Sequence, residues 1–239
     1  MDLESQEPNF DPAGFWTSEP YLTLTGLGNA LWPAVQYGNY YVVDDVYSQS
    51  LLRLGLAGYY QGLVPCIQLE EAVYFLKALN LEYPYCLMVR TYMEHVGRCH
   101  KAVAVWKRYG QDRDGAALAL GALRLTAPRK TEGYNVMTLV DSLQDVISDA
   151  REQYDRLSDY SHGDFTWHAT IRRESYLVGT WGKVSPAITT AEQRMNSLRD
   201  VLIADAGWLG VQLEPFAKRV REKWATAAND PDGPTVNPT

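Results

Sequence analysis

The stretch YCLMVRTYMEHVGRCHKAVAVWKRY, residues 85–109, decides the fold. Its apolar members Tyr85, Met88, Val89, Tyr92, Val96, Cys99, Val103 and Trp106 return every three or four positions, about 100° apart per residue. They therefore line one side of a long helix and cannot alternate across a strand.

Outward from this stretch the same period continues. Residues 44–62 place Val46, Leu51, Leu54 and Leu56 at helical spacing, with Gly62 and Pro65 as stop signals. Residues 67–81 repeat the pattern with Leu69, Val73, Leu76 and Leu79. Residues 137–162 read as one helix carrying Val140, Leu143, Val146, Ile147, Ala150, Tyr154 and Leu157 on a stripe. Residues 189–228 return to helix, with an interruption expected near Gly207–Gly210 and a kink or new start at Pro215. Between the last two, residues 164–186 mix Phe165, Trp167, Ile171 and Trp181 with glycine and charge, which suits a short β-hairpin or an ordered loop. The reading is an all-α, single-domain bundle of about five to seven helices. An irregular N-terminal arm over residues 1–20, a helical domain over 21–228 and a disordered tail over 229–239 complete it, the two ends being rich in proline.

Composition sets the class. The 239 residues are 46% hydrophobic and 21% charged, as in an ordinary globular protein. A net charge of −7 repels phosphate backbones and anionic membranes at long range, so general nucleic-acid affinity is not expected. Cys66, Cys86 and Cys99 are odd in number and lack CxxC spacing, which indicates reduced, buried thiols in a cytoplasmic protein. The acidic N-terminus is no signal peptide, and the longest apolar runs, 51–64 and 116–125, fall short of the ~20 residues that a membrane span needs.

Few residues carry chemistry. Gly26-Leu-Gly28 lacks the third glycine of a dinucleotide loop, so no cofactor is expected. His95 and His100 are wrongly spaced for two ligands on one helical face, and Glu70-Glu71 and Glu94-His95 lack the Glu-x-x-His pair of di-metal bundles, so no metal is expected either. The basic run at 218–223 reads as a solvated helix face. The segment 154–162 is the most unusual polar cluster. Arg151, Tyr154, Ser158 and His162 share a line on the shoulder of the apolar stripe, with Asp159 beside them. A half-buried histidine among hydroxyls suits acid–base work, and equally suits a seam in which polar groups satisfy one another. On an unbroken helix Arg156 and His162 stand about 120° apart. Glu152 is then the local partner of Arg156, whereas a dimer interface or a helix ending by Tyr160 would reunite arginine and histidine. Arg90 and Glu94 form either a solvent-face ion pair or a polar face that meets this shoulder or another subunit.

The spacing Arg156-x5-His162 resembles the Arg-x(4–6)-His motif of the HEPN superfamily (higher eukaryotes and prokaryotes nucleotide-binding domains). Tyr154-x2-Leu157-Ser158-x3-His162 and Arg90-x3-Glu94 resemble further signatures of bacterial HEPN-like helical proteins. The resemblance implies a helical bundle that often dimerises and, in active members, metal-independent RNA cleavage in defence or toxin systems. Carried over, Arg156 would clamp the phosphate and His162 would move the proton, with Arg151, Tyr154, Ser158, Asp159, Arg90 and Glu94 around them. The alternative is a non-catalytic protein-interaction or scaffold module of the same fold, motivated by 16 Tyr, 7 Trp and the absence of a complete catalytic set.

Overall fold

The computed structural model describes residues 12–37, 46–109, 135–162 and 186–228. They form seven α-helices and no strand: α1 Pro12–Trp16, α2 Glu19–Tyr37, α3 Val46–Ala78, α4 Glu82–Tyr109, α5 Val136–Ser142, α6 Ala150–His162 and α7 Pro186–Ala228, with a 3-10 turn at Leu143–Asp145 after α5. The all-α bundle expected from the periodicity is the fold observed.

The stretch that opened the sequence is the centre of the molecule. Tyr85, Val89, Tyr92, Val96, Cys99 and Val103 of α4 are all buried, and α4 packs against α3, α7 and the α5–α6 pair on three sides. Two glycines set the α3–α4 approach. A Cβ on Gly62 would lie 2.5 Å from Cys99 Sγ and 2.8 Å from the His95 carbonyl oxygen, and one on Gly55 would lie 2.6 Å from the Trp106 ring. On another side, a Cβ on Gly97 would lie 2.5 Å from the Leu139 carbonyl oxygen, which seats α5. The α3 line Leu56–Tyr59–Leu63–Cys66–Glu70–Val73 and the α7 line Ile188–Ala191–Met195–Leu198–Leu202–Asp205–Leu209 close the core from the other helices.

Cross-helix pairs give the directions. Tyr85 meets Met195, His100 meets Asp205 and Trp106 meets Trp208, so α4 and α7 run parallel. Lys77 meets Glu192 and Tyr59 meets Leu202, so α3 runs against them. Phe15 and Tyr21 stack near Tyr74, and Trp32 stacks on Tyr60, so α2 runs against α3.

Several boundaries differ from the sequence reading. Residues 44–62 and 67–81 are not separate helices: α3 runs through Gly62 and Pro65 without a break. Gly62 is small because α4 passes close, not because the helix stops. Pro65 removes one backbone donor, at about 3 kcal/mol, but an interruption there would take Cys66, Glu70 and Val73 off the buried line. The stop falls at Asn80, whose φ of 52° is left-handed. Its N–H donates to Lys77 O and that of Leu81 donates to Leu76 O, a Schellman motif with asparagine in the glycine position.

The expected helix over 137–162 is broken. Ser142 Oγ donates to Leu139 O at 2.6 Å and to Gly97 O at 3.3 Å, and residues 143–149 turn before α6 begins. The turn leaves Val146 exposed but aims Leu143 and Tyr154 together at α4. Conversely, α7 is a single helix across Gly207, Gly210 and Pro215, because its buried line runs on from Leu202 to Leu213 past both glycines. The arm expected over 1–20 also needs amending, since α1 and the start of α2 are helical and Phe15 is buried against Tyr74 and Phe75. The readings for 1–11, 229–239 and a hairpin or loop at 164–185 lie outside the described residues.

Candidate functional site

The seam between α4 and α6 brings together three of the residues singled out above. Tyr154, 3% exposed, stands among apolar neighbours with its hydroxyl at the seam's edge. That hydroxyl donates to Glu94 Oε1 at 2.6 Å and accepts from Arg90 Nη2 at 2.9 Å. Arg90 and Glu94 are 3.7 Å apart, and the guanidinium lies 5.0 Å from the Tyr154 ring centroid. Burial, then donation to Glu94, raises the Tyr154 pKa, so the phenol stays protonated as the donor that this arrangement needs. Arg90 and Glu94 are therefore the polar face that meets the shoulder of α6.

The other residues of that set are held apart. Arg151 bonds Asp141 at 3.0 Å and Asp155 at 3.3 Å on the surface, and the bond to Asp141 leads in raising its pKa. Ser158 Oγ donates back to Tyr154 O at 2.8 Å. Arg156 is exposed and pairs with Glu152 one turn earlier, the local partner its spacing suggested. Asp159 is exposed. His162 is the last residue of α6, and its side chain lies outside the described residues.

Two buried ion pairs were not anticipated. Glu70, on the core line of α3, takes Arg199 Nε at 2.6 Å and Nη2 at 3.0 Å as a fork. Tyr92 lies beside that carboxylate; its burial, then the charges of Cys66 and Glu70, pushes the phenol pKa well up. Asp205, on the core line of α7, holds His100 Nδ1 at 2.8 Å and Lys107 Nζ at 3.6 Å, and Lys107 also lies over the Trp208 ring. Nearby, Tyr59 donates its hydroxyl to Leu202 O at 2.6 Å and Cys99 donates to Tyr59 O at 3.2 Å. A signal for both was present: each acid occupies a position where the three–four rhythm of its helix demands an apolar residue.

These groups tie α3, α4 and α7 together across the core. Burial raises the Cys66 and Cys99 thiols well above their ordinary pKa, so neither is a ready nucleophile. Among the described residues no three His, Cys, Asp or Glu side chains converge as a metal site, and no helix is long and apolar enough to cross a membrane. Comparison with protein-family models, with curated proteins and with solved structures finds no match for this chain.

At the α1 end of the bundle lies a different kind of feature. Phe15 packs the α1–α2 corner onto Tyr74 and Phe75 of α3, next to the α3–α4 turn. Trp16 and Leu22 on the corner and Leu79, Leu81 and Tyr83 on the turn are each 43–54% exposed. They are five of the nine large apolar side chains left open among the described residues. Single exposed apolar residues are ordinary, but these five lie at one end of the bundle.

Proposed function

We propose that this chain is a protein-interaction module, a helical scaffold that offers its α1 end to a partner. The observation that carries the reading is the group of exposed apolar side chains at that end: Trp16, Leu22, Leu79, Leu81 and Tyr83. The occupied hydroxyl of Tyr154 supports it, because Arg90 and Glu94 already use the polar capacity that a catalytic hydroxyl would need. The test is capture from a lysate of the source cells with the full chain as bait. A partner retained by wild type and by Arg156→Ala, but lost with Leu79→Arg, is the expected result.

One observation favours a second reading, the HEPN-like ribonuclease of a bacterial defence or toxin system. Arg156 rests only on an exposed i, i+4 pair of small value, so its guanidinium can turn to a phosphate brought to the end of α6, where His162 would be the proton carrier. RNA would then be a substrate at a local site, and a homodimer could bring a second copy of each residue to it. Cleavage of single-stranded RNA by wild type that His162→Ala abolishes would establish this reading over the first.

A further inference from the structure

The last turns of α4 meet the middle of α7 through a cluster that lies outside both the α1 end and the α6 seam. Trp106 and Trp208 pack edge to face, their ring centroids 5.8 Å apart and their planes at 83°. A Cβ on Gly55 would lie 2.6 Å from the Trp106 ring, so the backbone of α3 backs that ring directly. Asp205 stands one turn before Trp208 with its side chain only 4% exposed, and His100 Nδ1 holds its Oδ2 at 2.8 Å. The other carboxylate oxygen, Oδ1, faces Lys107 Nζ at 3.6 Å, and the same ammonium stands 5.1 Å from the Trp208 ring centroid. One ring face and one carboxylate thus serve a single cation.

The parts of this arrangement are not held equally firmly. Trp106 and Trp208 pack against the core and Asp205 is buried, each fixed by contacts that do not involve Lys107. Lys107, third from the end of α4, has its side chain 43% exposed on a flexible stem. Its contact also suits its own chemistry poorly. A primary ammonium is strongly hydrated and seeks N–H···O bonds of about 2.7–3.2 Å. At 3.6 Å from Oδ1, Lys107 supplies the charge without the bond. A quaternary ammonium has no N–H to satisfy and presents its charge through methyl groups. Separations of 3.6 Å from a carboxylate oxygen and 5.1 Å from a ring centroid are therefore ones that it fills.

We propose that Trp208, braced by Trp106, and Asp205 form a seat for a quaternary ammonium group, with Lys107 as an internal plug that such a group displaces. The seat goes beyond the reading of the α1 end and does not depend on it. A net charge of −7 favours the approach of a cation. Two sources share the chemistry: a free small molecule of the choline class, and a trimethylated lysine on another protein. A single ring face and a single carboxylate, contested by the plug, set a dissociation constant on the order of 1–10 mM for the bare head group.

The experiment is proton–nitrogen NMR of the indole N–H signals of the full chain, titrated with tetramethylammonium chloride at constant ionic strength. Trp106→Phe and Trp208→Phe assign the two signals, and circular dichroism establishes that each variant is folded. Wild type should show a saturable shift of the Trp208 signal with a midpoint of ~1–10 mM, and ammonium chloride should show none in that range. Lys107→Met, which keeps the stem and removes the charge, should lower the midpoint about tenfold. Lys107→Gln replaces it if it does not fold. Lys107→Arg, whose planar fork can bond the carboxylate, should raise the midpoint. Choline and a trimethyllysine peptide then separate the sources: whichever binds more tightly than tetramethylammonium identifies its class, and equal midpoints show a seat that reads the head group alone. No saturable shift in wild type, the same midpoint with ammonium chloride, or one midpoint shared by wild type and the Lys107 variants overturns the proposal.

Discussion

Asp205 and Glu70 occupy positions on their helices that the packing pattern reserves for apolar side chains, and each is tolerated because a cation from another helix reaches it. Removing one partner leaves a buried charge alone. Arg199→Ala should therefore cost about 3–5 kcal/mol in urea unfolding, whereas Arg199→Leu combined with Glu70→Leu should recover most of that loss. His95 behaves differently. Its Nδ1 is buried without a hydrogen-bond partner, and burial, then Arg98, lowers its pKa below the ordinary 6.5. The unfolded chain then binds the proton more readily than the folded one, so stability is lost as pH falls through about 6.5. His95→Gln should show a smaller drop in melting temperature than wild type between pH 7.5 and 5.5. Imidazole spacing was legible in the sequence; which ring would find a carboxylate was not, because the acid lies 105 residues away.

At the scale of elements, helix boundaries followed packing wherever local signals and packing disagreed. Gly62 and Pro65 resemble an ending, yet α3 runs on, while the uninterrupted stripe over 137–162 resembles a single helix and is broken at Ser142. Two glycines that look alike in sequence separate these effects. Gly62→Ala must push Cβ against Cys99 and a backbone carbonyl, and should destabilise by about 1–3 kcal/mol or more. Gly207→Ala enters open space in mid-helix and should stabilise by up to about 1 kcal/mol. Thermal unfolding of the pair reads both signs. The polar shoulder of α6 divides for the same reason: the break at 143–149 rotates Tyr154 into the seam, where Arg90 and Glu94 meet it, and leaves Arg151 and Arg156 to surface acids.

For the whole molecule, the buried phenols and thiols set an alkaline limit. Tyr59, Tyr92, Cys66 and Cys99 all have raised pKa values, burial being the leading cause. The unfolded chain loses these protons first, so stability should fall as pH rises through about 8.5 and again through about 10, which unfolding free energies from pH 7 to 10.5 will show. The sequence by itself determined the all-helical class, the central place of residues 85–109 and the burial of the three cysteines, because a 3.6-residue period and a reduced thiol count are local properties that need no partner to be read. Only the tertiary structure decided where helices stop, which acids are neutralised inside and that the apolar side chains of α1, α2 and the α3–α4 turn gather at one end. Those outcomes depend on residues distant in the chain meeting in space, and the energy of a close approach or a buried charge exists only once both sides are in place.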